Sequence, residues 1–207
     1  MRKSLLTSVS IFLIACCILF KAQVYANNLG TENAFYRALQ INNNSFTLNF
    51  WGHVPIEQYQ IDPDDPSVMP IIHEGRTMLP MRATASFVSW DDGAQYYDVE
   101  WNANEMQATL VVLDQSDPSY IRPVADFWIG RTTAVFFDNE GQNPRQVEIP
   151  IAPTIFNDRT YLPLRAVADA VDHVNIEWVA SHQGIVIYFV GSRPQNVMFP
   201  DGSVYGL

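Results

Sequence analysis

Four histidines, 22 acidic residues and a high aromatic content of 13% are what this 207-residue sequence offers for chemistry. A copper-type metal asks for several imidazoles converging on one point. His173 and His182 flank the stretch Val174–Trp178, with Glu177 nearby. They form a metal site if they approach each other, and are solvated loop histidines if they do not. His53 and His73 are more isolated. Asp62-Pro63-Asp64-Asp65-Pro66 clusters hard oxygens, but calcium needs six to eight of them in a formed loop, and EF-hand spacing is absent. A solvated proline-rich loop is the default there. Paired carboxylates about 5–9.5 Å apart would hydrolyse glycosidic bonds, a separation that composition does not decide. The sequence holds no Gly-x-Ser-x-Gly, no His-Glu-x-x-His and no phosphate-cradling glycine loop.

The binding candidates are clearer. Trp90, Tyr96 and Tyr97 surround Asp91 and Asp92. Exposed, they would form an aromatic platform for sugar rings or a protein partner. The alternative is an insertion that packs on its own sheet. Arg82 and Arg165 fall early in predicted helices, where the helix dipole does not favour a cation. Each therefore needs a partner: Glu100 or Glu177 of its own unit, turn carbonyls, or a ligand carboxylate. Arg76 and Arg159 follow turns and organise them. Trp101 and Trp178 read as core.

These residues sit in a phrase that the chain says twice. Residues 70–83 read PIIHEGRTMLPMRA and residues 153–166 read PTIFNDRTYLPLRA. A shift of 83 superimposes Arg76 on Arg159, Thr77 on Thr160, Leu79 on Leu162, Pro80 on Pro163 and Arg82 on Arg165. Two copies at domain-sized spacing read as a duplicated unit, not a solenoid, whose repeats are about 20–50 residues long. Around the second phrase, Phe127–Gly130 and Ala134–Phe137 read as strands about a turn. Val147 to Ile151 reads as an edge strand or strand end, because of Pro150 and Pro153. Asn157-Asp158 is a tight-turn pair. Pro163 suits a first helical turn, and Leu164, Val167, Ala168 and Val171 make one apolar stripe. Val174–Trp178 and Gly184–Phe189 form a hairpin. The first copy repeats this with Met81, Thr84, Ala85 and Val88, then Tyr97, Val99 and Trp101, then Met106 to Leu113. Glu100-Trp101 matches Glu177-Trp178 at an offset of 77, so about six extra residues enter, at 91–96. A linker is expected over 114–123.

The N-terminus reads as a targeting segment. Arg2 and Lys3 precede the apolar stretch Leu5–Phe20, and Val24-Tyr25-Ala26 fits a small-x-small cleavage site. Leu13-Ile14-Ala15-Cys16 resembles a lipobox, which would leave Cys16 lipidated. Cleavage after Ala26 removes both cysteines and both lysines. Disulfides, thiol nucleophiles, Schiff bases and Ser–Lys dyads go with them. Nine arginines then face 22 acidic residues, a net charge of about -13. That disfavours nucleic acid and anionic membrane surfaces, leaving membrane contact to an uncleaved or lipidated leader.

The segment turn–Arg-Thr-x-Leu-Pro-x-Arg-Ala, then a helix, Glu-Trp and a closing apolar strand, resembles the copper amine oxidase N-terminal domain-like family. These are the stalk domains of exported bacterial proteins. Both copies match, over most of residues 45–190. The resemblance implies an α+β fold of two tandem units, each a small twisted antiparallel β-sheet packed on one α-helix. The expected division is a signal peptide (1–26), a first unit (27–115), a second unit (116–191) and a C-terminal tail (192–207). It implies a non-catalytic module, often one of several in a surface protein, and no copper chemistry; beside it, the expected function is binding, without a cofactor, to a cell-wall polysaccharide or an envelope protein. Edge strands would also allow a homo-oligomer. Oxidase chemistry needs a Tyr-derived quinone at Asn-Tyr-Asp/Glu; the nearest string, Gln95-Tyr96-Tyr97-Asp98, does not match.

Overall fold

The computed structural model describes residues 34–49, 56–89, 96–113 and 120–207. The leader with Cys16, Trp51, His53, Trp90, Asp91, Asp92 and residues 114–119 of the expected linker lie outside the described residues. The first half runs β1 (Tyr36–Gln40), β2 (Ser45–Asn49), β3 (Glu57–Gln60), β4 (Ile71–His73), β5 (Arg76–Pro80), α1 (Met81–Val88), β6 (Tyr96–Asn102) and β7 (Gln107–Leu113). The second runs β8 (Ile121–Trp128), β9 (Thr133–Phe136), β10 (Arg145–Glu148), β11 (Thr154–Phe156), β12 (Arg159–Pro163), α2 (Leu164–Val171), β13 (Val174–Val179) and β14 (Gly184–Phe189). The chain closes with β15 (Asn196–Met198) and β16 (Val204–Gly206). Among the described residues, no helix is long and apolar enough to cross a membrane.

Local chemistry explains the elements. The β4–β5 and β11–β12 hairpins turn on Glu74-Gly75 and Asn157-Asp158, all four at positive φ, as two-residue primed turns demand. Pro80 and Pro163 then end a strand and start a helix: each is the N-cap, in extended conformation, with no backbone N–H to leave unpaired. Each helix is eight residues and buries most of the stripe expected of it, with Met81 and Val171 only partly buried. Thr84, fully buried on that stripe, donates its hydroxyl to Pro80 O at 3.0 Å, so no polar group is left unmatched.

The sheets do not follow the expected division of the chain. One five-stranded sheet has the order β13-β14-β1-β2-β3, the other β6-β7-β8-β9-β10. Each joins the hairpin that follows one helix to the three strands that precede the other hairpin and helix. β1 pairs with β14 through Tyr36↔Tyr188 and Ala38↔Val186, so segments 27–115 and 116–191 share a sheet. A third sheet joins the two halves at their repeated phrases, in the order β11-β12-β5-β4. Its central register is Leu79↔Leu162, flanked by Pro80↔Tyr161 and Met78↔Pro163. Exchanging the halves by 83 residues returns the same three pairs, so the Leu79–Leu162 pair marks a local pseudo-two-fold axis. Both leucines are fully buried, in one apolar cluster that includes residues from both helices and both large sheets.

One further expectation is corrected. Arg122 and Pro123 belong to β8, not to the linker; a register shift between Leu110 and Val111 lets a proline sit in the strand. Residues 192–207, the expected C-terminal tail, pack on the fold. Val197 and Phe199, both fully buried, join Tyr36, Ala38, Val179 and Val186 in a second apolar cluster over the β1–β14 sheet. Gln40 and Asp201 pin this segment reciprocally: Gln40 Nε2 donates to Asp201 Oδ2 at 2.8 Å and the Asp201 N–H donates to Gln40 Oε1 at 3.1 Å.

Candidate functional site

The symmetric crossing at Leu79–Leu162 creates two cavities. The first, about 540 Å³, is walled by Ile72, Arg76 and Thr77 of the β4–β5 hairpin and by Arg165, Glu177 and Trp178 of α2 and β13. The second, about 440 Å³, is walled by Asp158, Arg159 and Thr160 of the β11–β12 hairpin, by Arg82 and Trp101 of α1 and β6, and by Asp62. Each repeated phrase therefore splits its arginines. Arg76 enters the first cavity and Arg82 the second; Arg159 enters the second and Arg165 the first. Each cavity receives a hairpin arginine and threonine from one half, and a helix arginine and a tryptophan from the other.

This arrangement corrects the assignment of Trp101 and Trp178 to the core. They are 37% and 44% exposed. Trp101 has the same strand parity as buried Tyr97 and Val99, and Trp178 that of Val174 and Ile176. Alternation points both rings inward, but at the ends of their strands inward is the cavity beside the helix start.

The arginines are held unequally. Arg165 Nη2 donates to Ile176 O at 3.0 Å, which fixes its guanidinium beside the first cavity. Its predicted acidic partner, Glu177, is taken by Arg193, whose Nη2 and Nε donate to Glu177 Oε1 and Oε2 at 2.8 and 3.1 Å. That contact holds the Arg193 guanidinium above its ordinary value. Arg159 reaches Asp65 in an ion pair instead of organising its own turn. Asp65 also accepts the Ser67 hydroxyl and N–H, at 2.6 and 2.8 Å. These Ser67 bonds, opposed by some desolvation and helped by Arg159, hold its carboxyl below the ordinary carboxylate range. The acidic loop thus spends its oxygens on its own turns and on Arg159. Among the described residues, the Arg76 side chain has no ion pair and no hydrogen-bond partner; its backbone pairs with His73 in the hairpin.

His173 and His182 do not approach each other. His173 and His182 stand at opposite ends of β13, about 20 Å apart at 3.3 Å per residue. His173 stacks between Tyr97 and Phe189, with centroids at 5.5 and 5.9 Å. Its Nε2 lies 2.9 Å from Val88 O, and its Nδ1 lies 2.9 Å from Val171 O and 3.4 Å from the Tyr97 hydroxyl. It staples the C-terminal ends of the two helices. His182 stacks on Phe199 at 5.1 Å. Among the described residues, no three His, Cys, Asp or Glu side chains gather as metal ligands.

The predicted aromatic platform is divided. Tyr96 is 46% exposed, but Tyr97 is 4% exposed, and burial pushes its phenol up to about 12. Neighbours on a strand face opposite ways, so the two rings cannot share one surface. Ser89 closes the insertion: its Oγ donates to Ala85 O and accepts the Tyr97 N–H, both at 2.9 Å. Sequence reasoning found every arginine and tryptophan of the cavities but not their partition, because adjacent residues of one phrase serve different sites.

Among known proteins, residues 58–187 match the family model described as the copper amine oxidase N-terminal domain. That domain is a non-catalytic, stalk-type domain. No curated protein and no solved structure matches.

Proposed function

This chain belongs to the copper amine oxidase N-terminal domain family, and on that premise we propose that it is an exported, non-catalytic binding module of the bacterial cell envelope, with wall glycan as its ligand. The two halves are read as copies of one unit that exchange hairpins. The observation that carries the reading is the half-exposed tryptophan on the wall of each arginine-lined cavity. An exposed indole stacks on the apolar face of a sugar ring, and guanidinium and hydroxyl groups around it orient the sugar oxygens. The candidate surface moves from Trp90–Tyr97 to Trp101 and Trp178, since Tyr97 is buried. The test is retention of the purified chain on cell-wall sacculi, beside a Trp101→Ala/Trp178→Ala variant. Removing buried-on-binding aromatics costs such interfaces at least about tenfold in affinity. Undiminished retention of the folded variant would refute the reading, and retention by an envelope protein alone would replace glycan with a protein partner.

A further inference from the structure

The two cavities match in their arginine, threonine and tryptophan walls and differ in how the hairpin arginine is held. In the second, the hairpin arginine, Arg159, is ion-paired with the chain's own Asp65. In the first, the corresponding Arg76 has no acid on it among the described residues, and the one local acid, Glu177, is bound by Arg193. The first cavity therefore presents a guanidinium, a threonine hydroxyl and an indole to whatever enters, in a chain whose net charge is -10. The overall charge repels polyanions at long range. A single carboxylate next to a ring is the chemistry that Arg76 and Trp178 satisfy together, because guanidinium pairs with carboxylate and indole with the ring face.

We propose that the Arg76–Arg165–Trp178 cavity is an open site for a carboxylated sugar, and that Asp65 is an internal carboxylate that holds the hairpin arginine of the matching Arg159–Arg82–Trp101 cavity and so keeps a ligand carboxylate off it. The inference rests on the glycan reading above and adds to it the acid and the inequality of the two sites. Asp65 shows the mode of binding: a carboxylate on the hairpin arginine, steadied by hydroxyl and N–H donors from Ser67. In the open cavity, Thr77 stands beside Arg76 as a hydroxyl donor. Removing the Asp65 charge frees Arg159 and gives the second cavity an unpaired hairpin guanidinium, as the first already has.

The experiment is calorimetric titration of the full chain with galacturonic acid trimer, with neutral chitotriose alongside. Thermal unfolding of each variant checks the fold. The expected result is one site per chain for the acid trimer and binding at least about tenfold weaker for the neutral one. Arg76→Gln should weaken the acid trimer by about tenfold or more, and Asp65→Asn should raise the stoichiometry to two. Equal affinity for the two trimers would overturn the carboxylate assignment and leave the glycan reading standing. Two sites in the unaltered chain, or one site in folded Asp65→Asn, would overturn the masking of Arg159 by Asp65. Binding of neither trimer, with retention on sacculi intact, would overturn this inference alone. Failure on sacculi as well would remove the glycan reading beneath it.

Discussion

Replacing His173 by alanine separates a structural histidine from a metal ligand, and its cost follows from the contacts. The ring bridges two helix-end carbonyls, with Nε2 at 2.9 Å from Val88 O and Nδ1 at 2.9 Å from Val171 O, and its N–H donates to one of them. Losing the donor from a half-buried carbonyl costs about 1–3 kcal/mol. The ring also stacks on Tyr97 and Phe189, and each such contact is worth about 0.5–1.5 kcal/mol. The neighbours relax and water reaches part of the gap, so the sum is about 2–4 kcal/mol. For a chain of this size that lowers Tm by about 5–15 °C. His173→Phe keeps the stacking and loses the hydrogen bonds, so it should cost about 1–2 kcal/mol. Urea unfolding of the wild type and both variants, followed by tryptophan fluorescence, gives the three values. A His173→Ala change within about 0.5 kcal/mol of wild type would refute the staple. So would an alanine variant whose only defect is the loss of a stoichiometric metal.

Other substitutions test the remaining joints. A Cβ at Gly184 would lie 2.2 Å from Phe199 Cε1, so Gly184→Ala should destabilise by about 3 kcal/mol; a double-mutant cycle with Phe199→Ala should recover at least about 1 kcal/mol. No recovery in that cycle would mean that the C-terminal segment does not press on β14. The Tyr97 phenol, raised to about 12 by burial, favours the protonated folded state: its contribution is full below 10 and drains as pH rises from 10 to 12. Stability against pH should therefore fall by up to about 2.5 kcal/mol over that window, and Tyr97→Phe should flatten the fall. Asp65, Asp138 and Asp201 have depressed folded values. Their contribution is present above the ordinary carboxylate range and lost as pH falls through the folded values, so an acid unfolding curve should become shallower in Asp201→Asn, where the paired contact with Gln40 is weakened.

What the sequence made legible was local. The Glu74-Gly75 and Asn157-Asp158 turns, the Leu-Pro junctions into helices and the closing hairpins are encoded in residues a few positions apart. Backbone demands decide them: positive φ at the turns, and a residue without N–H at a helix start. What was not legible was which hairpin joins which sheet. The pairing of β14 with β1 spans about 150 residues, and no local propensity distinguishes it from pairing within one half. The tryptophans were misplaced for a related reason. Strand parity says which way Trp101 and Trp178 point, not whether a helix lies there to cover them. Tyr97 shows the converse: beside the insertion, where the sequence left exposure and packing both open, it is sealed by His173, a residue 76 positions away whose stacking no spacing rule would predict.

The central claim is binding at the wall without turnover, and one incubation addresses both halves of it. The full chain is mixed with purified sacculi across a concentration series; after sedimentation, bound protein is measured in the pellet and reducing sugar ends in the supernatant. The account predicts saturable binding that Trp101→Ala/Trp178→Ala diminishes, with no time-dependent release of reducing ends. Steady release in proportion to the protein added would contradict it and return the acids of the second cavity, Asp62 and Asp158, to consideration as catalytic groups.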